Sequence, residues 1–231
     1  MSKRKRQKAP LSGSEIARFI DQSLLIPRAT EADIIKLCKT AIKYNFYSVC
    51  VNPYYVPLCN ALLKGYDTKV TTVIGFPLGM ATKDVKVYEA KQAVLHGADE
   101  LDIVMNIGAA KSGNWDYVGE EILEIISSTK SAVHKVIIET CYLTEEEKIV
   151  ATKVASLFGA KFIKTSTGFG TKGATIKDVK LIKKIVGDRA EVKAAGGIKT
   201  LSQVLQFIKA GAARIGTSAG IEIMKEAHSG I

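Results

Sequence analysis

Eight short β-type runs alternate with helix-type segments along almost the whole chain, and this alternation limits the fold more than any other feature. The runs fall at 18–25, 46–51, 69–74, 101–105, 133–138, 161–164, 191–194 and 212–215. Between them apolar residues recur at helical spacing, as in Ile34, Leu37, Cys38, Ala41 and Ile42, or in Leu201, Val204, Leu205 and Ile208. Thr144 with Glu147 and Thr200 with Gln203 form capping boxes at helix starts, and Thr30 and Thr175 open two more periodic segments. Most of the β-type runs read as apolar on both faces, as expected of a parallel sheet covered by helices. Eight βα units in 231 residues predict a single-domain (β/α)8 TIM barrel, with an open doubly wound sheet as the alternative. Gly97, Gly159 and Gly211 each stand where a helix should end and a strand begin, in keeping with left-handed C-terminal caps before strands 4, 6 and 8. His96, just before Gly97, is expected to take part in the same cap.

The charge is unevenly placed. Of a net +10, five positive charges belong to Lys3, Arg4, Lys5, Arg6 and Lys8. Residues 1–10 are therefore expected to be a solvated basic tail preceding a barrel domain at 11–231, with nucleic-acid or surface attachment as the alternative use of the tail. The positive charge left on the body suits an anionic small substrate. No apolar run approaches the roughly 18–20 residues of a membrane span, and no apolar core follows the basic start as in a secretory signal, so a cytoplasmic protein is expected. Cys38, Cys50, Cys59 and Cys141 lack metal-type spacing and read as reduced core residues, with a disulfide or metal role as the alternative. The three histidines, His96, His134 and His228, show no ligand spacing.

In a barrel, functional side chains gather at the C-terminal strand ends and the loops beyond them. Three charged residues fall on such strands: Asp102 within Leu101–Asn106, Lys164 at the end of run 161–164, and Lys193 on run 191–194. A lysine that faces a second cation at a barrel mouth can lose its proton near neutral pH and act as a nucleophile. A carboxylate inside an apolar strand is costly unless paired, so Asp102 is expected to face a cation, either as part of the site or as a structural ion pair. Ala195-Gly196-Gly197-Ile198 and Ile215-Gly216-Thr217-Ser218-Ala219 follow strands 7 and 8, where barrels of this kind cradle phosphate, and Gly168-Phe169-Gly170 is placed to close that cradle.

These segments carry a resemblance to the deoxyribose-phosphate aldolases that runs from about Ile20 to Ile223. It rests on Ser48–Pro53, Val73–Gly79, Leu101–Gly108, Val136–Thr140, Lys164–Phe169 and Val192–Gly197 in that order. The resemblance implies reversible cleavage of 2-deoxy-D-ribose 5-phosphate to D-glyceraldehyde 3-phosphate and acetaldehyde, in deoxyribonucleotide breakdown, with no metal or organic cofactor. It makes Lys164 the Schiff-base lysine, Lys193 the cation that tunes it, and Asp102 the carboxylate of a proton relay. It further implies phosphate contacts at Gly168, Gly196, Gly197 and Ser218, support from Asp21 and Ser23, and a homo-oligomer, a dimer by expectation. Two positions depart from the common pattern: Gln22 stands where many members carry His, and Ala195 where Ser is frequent. A Schiff-base aldolase of ketose phosphates and a catalytically silent barrel with a nucleic-acid-binding tail are the rival readings.

Overall fold

The computed structural model describes residues 11–229, so the basic tail at 1–10 lies outside the described residues. Eight parallel strands close into a barrel in sequence order: β1 (Ile20–Leu24), β2 (Ser48–Val51), β3 (Lys69–Ile74), β4 (Glu100–Val104), β5 (Val133–Ile137), β6 (Phe162–Lys164), β7 (Glu191–Ala195) and β8 (Arg214–Thr217). The chain is a (β/α)8 TIM barrel. After a short α1 (Gly13–Ala17), the layer outside the strands is built by α2 (Glu31–Tyr44), α3 (Val56–Leu63), α4 (Lys83–Leu95), α5 (Ile107–Lys111), α6 (Trp115–Ser128), α7 (Glu145–Leu157), α8 (Ile176–Val186), α9 (Leu201–Ala210) and α10 (Gly220–His228).

Local signals explain where the helices begin and end. Both expected capping boxes form, and Thr30 makes a third with Asp33, each satisfying amide groups that the first helical turn leaves unpaired. Thr175 caps α8 by accepting from the Asp178 amide. Gly97, Gly159 and Gly211 lie at φ of 103°, 101° and 110°, the left-handed turns that end α4, α7 and α9. His96 contributes to its cap through its backbone, whose N–H donates to Gln92 O. The stripe expected on α9 shifts by part of a turn: Leu201, Val204 and Phe207 are buried, whereas Leu205 is exposed.

The inner face of the sheet is polar and charged rather than apolar. Outward residues such as Leu101, Ile103, Val136, Ile163, Val192 and Ile215 pack under the helices in the apolar core. Their strand neighbours Asp21, Glu100, Asp102, Lys193 and Arg214 are equally buried yet pair with residues of non-adjacent strands, which is possible only across the lumen, and Lys135 joins them from β5 through Glu100 and Asp102 on the neighbouring β4. Strand β8 also begins later than the 212–215 run, and this carries Thr217 to the C-terminal rim of the barrel.

Candidate active site

Strand register places the two lysines side by side. Lys164 on β6 pairs with Lys193 on β7, so the spacing of one βα unit seats them on neighbouring strands. Lys164 Nζ and Lys193 Nζ each donate to the same oxygen, Asp102 Oδ2, at 2.8 Å. The other oxygen, Oδ1, accepts from Lys135 Nζ at 2.9 Å. Lys193 has a second carboxylate partner in Asp21 Oδ2 at 2.5 Å, and Lys135 has one in Glu100 Oε2 at 2.6 Å. Arg214 completes the layer by bridging Asp21 and Glu100 at 2.8 and 3.1 Å, with its guanidinium 3.4 Å from the centre of the Tyr47 ring.

Lys135, Lys164, Lys193 and Arg214 thus share Asp21, Glu100 and Asp102, four cations against three carboxylates. In a buried site an unbalanced charge is costly, and the counter-charges are not shared equally. Lys164 contacts one carboxylate, whereas Lys135, Lys193 and Arg214 each contact two. Burial works against the charged forms of Asp102 and Asp21, but the surrounding cations prevail and hold both carboxyls below the usual carboxylate range. Burial likewise opposes the Lys193 ammonium, and Asp102 and Asp21 together outweigh it, raising that pKa above the ordinary lysine value. Lys193 is therefore a fixed cation beside Lys164.

Above this layer lies a cavity of about 350 Å³, lined by Lys164, Gly168, Gly196, Gly197 and Ser218, with Ser23 at its edge. The expected site residues are thus brought together in two tiers. Those named for phosphate line the cavity, Asp102, Lys193 and Asp21 lie beneath it, and Lys164, only 2% exposed, joins the two. A larger groove of about 560 Å³ runs alongside and shares Ser23, Ile26 and Ser218, but Lys164 does not line it. The loops after β6 and β7 approach closely at a glycine crossing. Gly196 has φ of 91°, and a Cβ on Gly173 would lie 2.1 Å from Gly196 O, so neither position has room for a side chain.

Four residues at the site were not singled out by the sequence reading: Glu100, Lys135, Glu139 and Arg214. The reasoning that found Asp102, a charge inside an apolar strand, applies equally to Lys135, which is its register partner on β5. Glu100 lies two residues before Asp102 and so shares its face. Glu139, just beyond β5, has the left-handed φ of 49° and is 1% exposed. Its carboxylate accepts from the Thr167 amide at 3.1 Å and from the Thr167 hydroxyl, and Thr167 Oγ1 in turn accepts from the Phe169 amide at 3.0 Å. These bonds fix the turn that follows the nucleophile candidate. Among the described residues no group of three or more His, Cys, Asp or Glu is placed to hold a metal ion, and no helix is long and apolar enough to cross a membrane.

Nearly the whole chain is similar to known aldolases. Deoxyribose-phosphate aldolases from Thermococcus gammatolerans and Carboxydothermus hydrogenoformans are 57% and 54% identical to this chain, covering 94% and 95% of it and 98% of each relative. Among solved structures, an aldolase designated QR15 is 47% identical with a TM-score of 0.90, covering 93% of this chain and 96% of its own. A deoxyribose phosphate aldolase from Aeropyrum pernix, described as having a unique tetrameric structure, is 33% identical with a TM-score of 0.89, covering 95% and 94%. The model of the DeoC/LacD family aldolases matches residues 16–226, and the chain belongs to that family.

Proposed function

We propose that this protein reversibly cleaves 2-deoxy-D-ribose 5-phosphate to D-glyceraldehyde 3-phosphate and acetaldehyde through a Schiff base on Lys164. The observation that carries the reading is the single-carboxylate environment of Lys164, between the fixed Lys193 ammonium and an open cavity. The Lys164 amine attacks the aldehyde carbon, and loss of water from the carbinolamine leaves a protonated imine. Deprotonation of the C3 hydroxyl then drives the C2–C3 electron pair toward the imine, which releases glyceraldehyde 3-phosphate and leaves an enamine. Protonation at C2 and addition of water to the imine carbon free acetaldehyde and restore the amine. Asp102, bonded to both lysines, relays protons for carbinolamine dehydration and enamine protonation.

The phosphate is assigned to Gly168, Gly196, Gly197 and Ser218, at the end of the cavity formed by the loops after β6, β7 and β8. Binding there holds the reacting carbon against Lys164 with energy drawn from a remote group. Asp21 has a supporting role, because it shares Lys193 with Asp102, and Ser23 borders the cavity. Deoxyribonucleotide breakdown is the corresponding physiological role, in the cytoplasm, and a homo-oligomer is the expected assembly. The test is acetaldehyde formation from deoxyribose 5-phosphate by the wild type and by Lys164→Ala. Release by the wild type alone supports the reading, and release by both or by neither rejects it.

A further inference from the structure

The β8–α10 turn carries Ser218 into the cavity, yet its own helix start lacks a local cap: Ala219, at the N-cap position of α10, makes no side-chain capping bond. The missing partner comes from a different strand. Gln22 on β1, 5% exposed, donates from Nε2 to Ser218 O at 2.9 Å and accepts at Oε1 from the Gly220 amide at 2.9 Å. One side chain therefore satisfies an acceptor and a donor on either side of Ala219. The fit is tight, since a Cβ on Gly220 would lie 2.2 Å from Gln22 Oε1. The same turn is tied onward, because the Ala219 amide donates to Thr217 Oγ1 at 2.9 Å and Thr217 Oγ1 donates to Ile198 O at 2.6 Å. A connected path thus runs from Gln22 through the Ser218 turn to Ile198, the residue after Gly196-Gly197.

We infer that Gln22 is a positioning residue for the phosphate end of the site and sets the preference for a phosphorylated over an unphosphorylated sugar. The inference rests on the proposed aldolase reading, in which Ser218, Gly196 and Gly197 receive the phosphate. Gln22 lines the neighbouring groove and not the lysine cavity, so toward that cavity it acts through the backbone it holds. The role needs a donor and an acceptor at once on a flexible stem. Gln provides both, Glu retains the acceptor alone, and Met fills the space with neither. Freed from Gln22, the Ser218 carbonyl and the Gly220 amide must find other partners, and the turn between them loses its fixed orientation.

The experiment compares kcat/KM for 2-deoxyribose 5-phosphate and 2-deoxyribose in the wild type, Gln22→Met and Gln22→Glu. In Gln22→Met the ratio of the two values falls about tenfold or more, mainly through KM for the phosphorylated sugar, as expected when buried hydrogen bonds are lost. Competitive inhibition by inorganic phosphate weakens in parallel, and Gln22→Glu falls between the wild type and Gln22→Met. Equal proportional losses on both sugars, or a ratio within about twofold of the wild type, would overturn the inference. A wild type with no preference for the phosphorylated sugar overturns the substrate assignment instead, before any variant is made. Should Gln22→Met fail to fold, Gln22→Glu alone decides by the same ratio.

Discussion

Lys164 and Lys193 sit in register on adjacent strands and donate to one and the same oxygen, Asp102 Oδ2, at 2.8 Å each. Lys193 has a second carboxylate in Asp21 and Lys164 has none, so an identical pair of side chains divides into a fixed cation and the lysine proposed as nucleophile. Replacing Lys193 by Leu removes the fixed charge while roughly keeping the volume. The acidic limb of the pH–rate profile should then move upward by about one unit or more, with activity at pH 7 falling at least tenfold. A full pH–rate series on both proteins measures it, and an unmoved limb counts against the tuning role.

Lys135 should behave in a related way, although it lies deeper. It occupies Asp102 Oδ1 and Glu100 Oε2, and it provides one of the four cations set against three carboxylates. Lys135→Met leaves charges of equal number and frees Asp102 to turn from its shared position. The expected result is a loss of about tenfold or more in kcat with KM changed far less, because the defect lies beneath the cavity. Steady-state kinetics resolve the two parameters, and a pure KM effect contradicts the assignment.

A buried pair that neither lines the cavity nor joins the lysine layer should affect stability and leave chemistry alone. Lys86 on α4 and Glu121 on α6 are fully buried, 2.8 Å apart, and Lys86 Nζ also donates to Val104 O at 2.9 Å. Glu121→Gln leaves the lysine charge without its partner, at a cost of about 3–5 kcal/mol. Urea unfolding should show that loss, while kcat at a temperature where the variant is folded stays near the wild-type value.

His134 makes stability depend on pH in a definite direction. Burial lowers its pKa from 6.5 to about 4, with Thr129 Oγ1 2.8 Å from its Nε2. The unfolded chain therefore binds a proton between about pH 6.5 and 4 that the folded chain refuses, so this contribution is complete above pH 6.5 and lost as pH falls toward 4. The loss is about 2–4 kcal/mol, and His134→Gln should flatten that part of the stability curve. Chemical unfolding at pH 7 and at pH 4.5 checks the slope.

The sequence was most legible where the backbone alone decides. Cap residues such as Thr144, Thr200 and Gly211, together with helical spacing, locate the helices, and alternation with eight strands gives the barrel. Asp102, Lys164 and Lys193 were legible because a charge on a buried strand demands a partner. Glu100 and Arg214 escaped because they pair with each other between β4 and β8, across a lumen that only barrel closure creates, whereas Lys135 answers to the same reasoning as its register partner Asp102. The expectation of strands apolar on both faces concealed them, since the inner face of this barrel is an ion-pair layer. Gln22 was visible as a departure from the family pattern, but its bonds to the Ser218 turn become visible only when the chain folds back to bring Gly220, 198 positions on, beside it.

The most direct test of the account is covalent trapping. Incubation with acetaldehyde and sodium borohydride should reduce an imine to a stable secondary amine, and peptide mapping should place the added ethyl group on Lys164. The account predicts that Lys193 remains unmodified and that Lys164→Arg accepts no label while remaining folded. Label on Lys193 or another lysine, with Lys164 untouched, would contradict it.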